Sequence, residues 1–387
     1  MTLAIKVFFD VMRVLFVSHS FPPEDAPLDN MGGMQRVAME LYEQLEANPD
    51  VTMERIVLRS SWRTIMFRVI PFFLGLAFRL PSIVRRKKID VVLFSSVTST
   101  LTLLVCGKKL KRQGTVLASI AHGLDVTERN PFYQRSIRRT IRLLDALLPV
   151  SAATGRTCEE RDIPADRIHV LPNGFALDRF EASSDQGPDE LPSLPENAFL
   201  LVSVGRQVAR KGFAWFIEHV MPSLPDNVYF WMAGKGPEAE RIQATIDAMK
   251  LEGRVSRLGL VSEAQLHELY RRGDLFIMPN VNIPGDMEGF GIVMLEAGSC
   301  GMPTIAADTE GIRDVIKPGT SGYFCPAEDA DAFIAQIHDL VADTDALRVL
   351  SERTREYVHG TFGWPEVSAR YVATLKSIHS RGSLPTI

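Results

Sequence analysis

Short runs rich in β-branched and aromatic residues alternate along the chain with longer stretches whose apolar positions recur every three or four residues. That alternation predicts βαβ units and parallel sheets. Residues 13–18 (RVLFVS) predict the first strand, and 34–47 a helix with Val37, Leu41 and Leu45 four apart on one face. Further strands are predicted over 90–94, 115–120, 146–150 and 168–171, the last closing on the turn Pro172-Asn173-Gly174. Residues 179–197 (RFEASSDQGPDELPSLPEN) lose apolar periodicity and predict a linker. The alternation then restarts, with strands over 199–204, 228–233, 255–258, 275–278 and 304–306. Helices are predicted between them, over 213–220, 239–249, 266–272 and 291–298. The fold class is therefore α/β, with two doubly wound, Rossmann-like domains in tandem over 1–178 and 198–364. A length of 387 residues suits two domains of ordinary size. Open α/β sheets bind ligands beyond the carboxyl ends of their strands, so the chemistry is expected on strand-end loops facing a cleft between the domains.

Composition narrows the class. With 46% hydrophobic and 23% charged residues the chain reads as soluble and globular. The net charge of −4 conceals an asymmetry: residues 1–178 carry +6 and residues 179–387 carry −10. A basic first half suggests an anionic partner there, the alternative being an unselected drift of surface charge. Cys106, Cys158, Cys300 and Cys325 are scattered without a CxxC pair, which predicts a reducing, cytoplasmic setting. The opening MTLAIKVFFDVMRVLFVSHS lacks a small-residue cleavage site, so a strand is expected from near Met12 with residues 1–11 as an extension; translation from Met12 is the alternative.

Residues 65–84 are strongly apolar and lead into Arg85, Arg86, Lys87 and Lys88. Arg68 and Arg79 leave only 69–78 uncharged, about half of the ~20 residues a spanning helix needs, and Pro71 and Pro81 weaken a helix further. The segment is not expected to span a membrane. It reads either as a core helix with a solvated basic end or as an interfacial element.

Three groups of strand-end loops carry candidate chemistry. In Pro284–Cys300 (PGDMEGFGIVMLEAGSC), Gly289 and Gly291 let backbone approach a ligand, and the amides at the helix start suit a diphosphate. Glu288 before that helix and Glu296 two turns on suit hydroxyl groups of a sugar and a ribose, although an acidic residue there also simply favours the helix dipole. In 204–212 (VGRQVARKG), Arg206 and Lys211 suit an anion from a single loop. In the first half, Gly32-Gly33 precedes a helix, and Ala121-His122-Gly123-Leu124-Asp125 ends a strand. No Asp-x-Asp metal motif falls at a strand end; Asp329-Ala330-Asp331 instead predicts a helix start.

Glu288, Gly289, Phe290, Gly291 and Glu296 together resemble the EGFG-x4-E signature of retaining family-4 glycosyltransferases of the GT-B fold. Gly32-Gly33, His122-Gly123-x-Asp125, Pro172-Asn173-Gly174, Gly205-Arg206 with Lys211-Gly212, and Gly234-x-Gly236-Pro237 fall in the same order as in that family. The resemblance implies a hexosyltransferase that moves a sugar from a UDP- or GDP-sugar donor to a glycan, lipid-linked or small-molecule acceptor. It implies catalytic roles for Glu288, His122, Arg206 and Lys211. It implies substrate contacts by Gly32, Gly33, Asp125, Asn173, Gly289, Phe290, Gly291 and Glu296, with the base near 258–261. It also implies that a last helix, 365–380, packs back on the first domain. Neither cofactor nor metal is expected, and no nucleic-acid partner; the expected station is cytoplasmic, with an anionic membrane face as a further partner. A catalytically silent sugar-nucleotide-binding protein on the same fold is the alternative. Gly234-Lys235-Gly236-Pro237-Glu238-Ala239 also fits a dinucleotide-binding GxGxx(G/A) run, but it lies inside the second domain and no acidic strand end follows about 20 residues on.

Overall fold

A computed structural model of the chain describes residues 11–382 except 27, 28, 30, 31, 162, 177–190, 285, 287, 289 and 310. The predicted extension over 1–11 falls almost wholly, and the linker 179–197 largely, outside the described residues. The chain divides into two units, residues 1–174 with 364–387, and residues 175–363.

In the first unit β1 (Met12–Phe21) is buried along nearly its whole length and is followed by α1 (Gly33–Glu46), β2 (Val51–Arg59) and α2 (Ile65–Lys87). Then come β3 (Val91–Phe94), α3 (Leu103–Arg112), β4 (Val116–Ala121) and the short α4 (Leu124–Thr127). The series closes with α5 (Pro131–Ile141), β5 (Ala146–Pro149) and α6 (Ala152–Glu159). The strands form one parallel sheet, β2-β1-β3-β4-β5. Strand order reverses after β1, so right-handed crossovers put α1 on one face and α2, α3 and α5 on the other.

The second unit runs β6 (Phe199–Val204), α7 (Phe213–His219), β7 (Val228–Ala233), α8 (Ala239–Met249) and β8 (Val255–Gly259). It continues through α9 (Glu263–Arg272), β9 (Leu275–Met278), α10 (Ile292–Ser299), β10 (Thr304–Ala307) and β11 (Gly322–Cys325). It ends with α11 (Ala330–Ala342) and α12 (Thr344–Phe362). Its parallel sheet has the order β11-β10-β9-β6-β7-β8. The last helix, α13 (Trp364–Gly382), belongs to the first unit. Trp364 Nε1 donates to Glu40 Oε2 of α1 at 2.7 Å, and Lys376 Nζ pairs with Asp50 at 2.7 Å.

Several elements differ from the sequence reading. The edge strands β2 and β11 carry no clean apolar alternation, and the pattern does not predict them. The predicted strand at 168–171 is reduced to a bridge between Leu147 and Ile168, although His169 and Leu171 still donate backbone bonds to β5. Pro71 and Pro81 do not break α2, which runs unbroken for 23 residues. Pro71 lies on an exposed side of the helix, where the Phe67 carbonyl it deprives of a partner is reachable by water.

Candidate active site

In the second unit the loop after β6 ends in a 3-10 turn, Ala209–Lys211, which aims two cations at the loop after β9. Lys211 Nζ donates to Glu288 Oε2 at 2.7 Å; the Arg210 guanidinium donates to the same carboxylate and, through Nε, to Asp286 Oδ1 at 3.0 Å. The Lys211, Arg210 and Glu288 side chains are only 7%, 12% and 14% exposed, so this charged cluster is nearly dry. Burial alone would raise the Glu288 pKa, but the charges of Lys211 and Arg210 and their hydrogen bonds outweigh it and hold it at about 2. Burial pulls Lys211 below the ordinary lysine value, opposed by the Glu288 carboxylate. Glu288 governs the pair, because two cations serve one carboxylate.

Of the two cations that the sequence singles out, the structure brings only Lys211 to Glu288. Arg206 stands exposed earlier in the loop and makes no ion pair among the described residues. Arg210 takes the place beside Glu288. The direction of a short 3-10 turn decides between them, and sequence spacing does not report it.

Gly291 caps α10 with φ +75°, a left-handed conformation that favours glycine, and Gly289 lies outside the described residues. The Phe290 ring is 4% exposed and meets Phe362 edge-on at 6.0 Å, so its side chain is core and only its backbone is available to a ligand. Glu296, in the middle of α10, is buried and accepts a hydrogen bond from Tyr270 Oη at 2.9 Å. Asn280, just past β9, is 1% exposed with neither end of its amide hydrogen-bonded, a polar group that pattern reading had no motif to find. The expected base-side stretch coincides with the end of β8, where Leu260 is 71% exposed. Gly234 has φ +129°, and a Cβ there would stand 2.0 Å from the Gly205 carbonyl. A Cβ on Gly236 would stand 2.1 Å from that of Gln207. Close packing of the β6 and β7 loops thus accounts for both glycines without a dinucleotide.

In the first unit His122 follows β4, its Nε2 2.9 Å from the Ser95 carbonyl. Both Asp125 carboxylate oxygens are occupied by backbone: His122 N donates to Oδ1 at 2.8 Å and Val97 N to Oδ2 at 2.9 Å. The Asp125 carboxylate thus ties the His122 turn to the loop after β3. His19, missed in the sequence because it follows no motif, lies beside His122 near the end of β1 and bonds Ser99 Oγ at 2.9 Å. Burial, reinforced by the neighbouring His122, lowers its pKa to about 4 and leaves it neutral. Gly32 and Gly33 open α1, where buried Gln35 donates to Ser20 Oγ at 2.9 Å. Asn173 is buried with its Oδ1 unpartnered. Among the described residues, no three His, Cys, Asp or Glu side chains gather as a metal site would require.

Comparison with known proteins decides the family. Glycosyltransferase Family 4 matches residues 31–179, and Glycosyl transferases group 1 matches residues 190–357. The chain belongs to the family-4 glycosyltransferases of the GT-B fold. It is 27% identical over 287 residues to the putative colanic acid biosynthesis glycosyltransferase WcaL of Salmonella typhimurium, covering 71% of this chain and 68% of that one. It is 26% identical over 324 residues to the N-acetyl-alpha-D-glucosaminyl L-malate synthase of Bacillus anthracis, with 79% of each covered. HepE of Anabaena, solved in complex with UDP, shares the fold with a TM-score of 0.71 at 16% identity, over 95% of this glycosyltransferase and all of that chain.

Proposed function

We propose that this glycosyltransferase moves a sugar from a UDP- or GDP-sugar to a lipid-linked or cell-envelope glycan, with retention of anomeric configuration and without a metal. The observation that carries the reading is the dry Lys211–Glu288–Arg210 cluster beside the start of α10. A nucleotide diphosphate adds negative charge where Lys211 and the α10 amides are already fixed, and such preorganised donors stabilise a departing diphosphate. Lys211, drawn to the phosphates, loosens its hold on Glu288, which then accepts hydrogen bonds from sugar hydroxyls. Arg206, exposed on the same loop, reaches for the outer phosphate.

The bond from the anomeric carbon to the phosphate oxygen breaks while the acceptor oxygen bonds to that carbon on the same face. The acceptor proton passes to the departing phosphate oxygen, so no side-chain nucleophile is needed. Relatives named for colanic acid biosynthesis and for a phosphatidylinositol mannoside mannosyltransferase support a cell-envelope or lipid-borne acceptor. An anionic membrane face is the matching location.

The test is a melting panel of UDP- and GDP-sugars in the presence of EDTA. The correct donor raises the melting temperature as RT ln(1 + [L]/Kd) predicts, and added magnesium leaves that rise unchanged. A panel without any shift, or a shift that requires metal, removes the donor assignment or the metal-free route respectively.

A further inference from the structure

The helices on one face of the first unit's sheet share a property that the other α-helices lack. α2, α3 and α5 carry five, four and three Lys or Arg residues and not one Asp or Glu. The same face exposes large apolar side chains. Met66, Ile70, Leu74 and Phe78, spaced by four along α2, are 74%, 64%, 52% and 76% exposed, with Phe67 beside them at 81%. Phe132, at the start of α5, is 82% exposed.

Arg68, Arg79 and Arg86 follow at intervals of eleven and seven, which places them on one flank of the helix. Between α2 and β2 lies a groove of about 370 Å³. Its walls include apolar Ile56, Phe72 and Leu76 and the cations Arg55, Arg79 and Arg86. The one carboxylate on its wall, Glu54, is paired with Lys87 at 2.6 Å.

We propose that this three-helix face docks on an anionic phospholipid bilayer, with α2 lying in the plane of the interface and the groove receiving an anionic headgroup. Exposed phenylalanines flanked by arginines match the layered chemistry of hydrocarbon beneath phosphate. A second copy of the same face would bring like charges together, and a polyanion without hydrocarbon would leave Phe67 and Phe78 in water. The helix Ile65–Lys87 is long and apolar enough to cross a bilayer. Its opposite side (Leu76, Ala77, Leu80, Val84) is nevertheless built into the core of the unit, so it lies along the surface. Because α2 follows β2, its apolar amino end lies at the carboxyl edge of the sheet, where Phe73 meets His19 at 5.9 Å. Docking there brings the bilayer to the side that carries His122, which deepens the proposed lipid-linked acceptor and rests on that reading only for its purpose.

Co-sedimentation of the full chain with vesicles tests it, using phosphatidylcholine alone and mixed with phosphatidylglycerol. Binding is expected only to the mixed vesicles, falling on the order of tenfold between about 0.1 M and about 1 M salt as charge is screened. Phe67→Glu with Phe78→Glu should lower partitioning on the order of a hundredfold, roughly tenfold for each phenylalanine kept out of the bilayer. Arg79→Ser with Arg86→Ser should weaken the preference for anionic lipid by several-fold, since about 1 kcal/mol per basic residue near the surface is removed. All four positions are exposed, and unchanged melting curves verify folding. Equal binding to both lipids, no binding, or a concentration-dependent dimer lost in the phenylalanine variant would each overturn the proposal. The donor-induced melting shift, measured without lipid on the same preparation, reports separately on the glycosyltransferase site.

Discussion

Glu288 and Lys211 are worth more to each other than either is to the fold alone. Removing one member of a buried pair strands the other charge and costs roughly 3–5 kcal/mol, whereas replacing both with apolar groups of similar volume is often neutral. Glu288→Gln and Lys211→Met should each lower the melting temperature by several degrees. Lys211→Met with Glu288→Leu should recover most of that loss, Arg210 retaining Asp286. All three variants should lose transfer by on the order of 10²–10³. A double variant no more stable than the singles would mean that the cluster does not act as a pair. The pH dependence has a fixed sign. A carboxyl held at about 2 against an ordinary 4.5 adds its full stability above the ordinary value and loses it as pH falls toward the lower one. The melting gap between the wild type and Glu288→Gln should therefore narrow across that acid window and stay constant above it. Glu288 and Lys211 were legible in the sequence because their neighbours form a recognisable motif. Arg210 and Asn280 were not, since what marks them is a turn direction and an unpaired buried amide, and neither leaves a sequence pattern.

At the scale of elements, the strands read most easily from sequence are those buried on both faces. β3 and β9 are uninterrupted apolar runs and β4 is broken only by Ser119, and their predicted positions agree within a residue or two. β2 and β11 are edge strands, half-exposed over much of their length, so Glu54 and Arg55 interrupt the pattern without disturbing the pairing. Pro71 and Pro81 mislead for a related reason: tertiary packing of the buried side of α2 overrides local propensity. The loops that hold the site are packed as tightly as the strands. Gly234→Ala would combine a φ of +129° with a Cβ 2.0 Å from the Gly205 carbonyl, so the β7 loop must move and displace the Arg206–Lys211 loop with it. The expected outcome is a loss of about 2–4 kcal/mol in stability together with weakened nucleotide-sugar binding, measured by denaturant unfolding and by ligand-induced melting. Unaltered binding with unaltered stability would show that the two loops are not coupled.

At the scale of the molecule, charge divides along the chain: +6 in residues 1–178 against −10 in residues 179–387. The core of the proposed donor site, Lys211, Arg210 and Glu288, is largely buried, with only Arg206 exposed, whereas the basic helical face is exposed, and salt treats the two differently. The Debye length shrinks from about 10 Å at 0.1 M to about 3 Å at 1 M, which screens exposed charges and leaves a nearly dry cluster largely unaffected. Transfer to an acceptor embedded in anionic vesicles should therefore fall on the order of tenfold across that range. Slow release of nucleotide from the donor in the absence of acceptor should change by less than about twofold. The two rates are read in one assay by following nucleotide release with and without acceptor-bearing vesicles. A parallel fall in both would place the salt sensitivity in the donor loops and separate the basic face from catalysis. A fall confined to the vesicle reaction would tie the surface charge of the first unit to delivery of the acceptor, and the buried charge of the second to the chemistry.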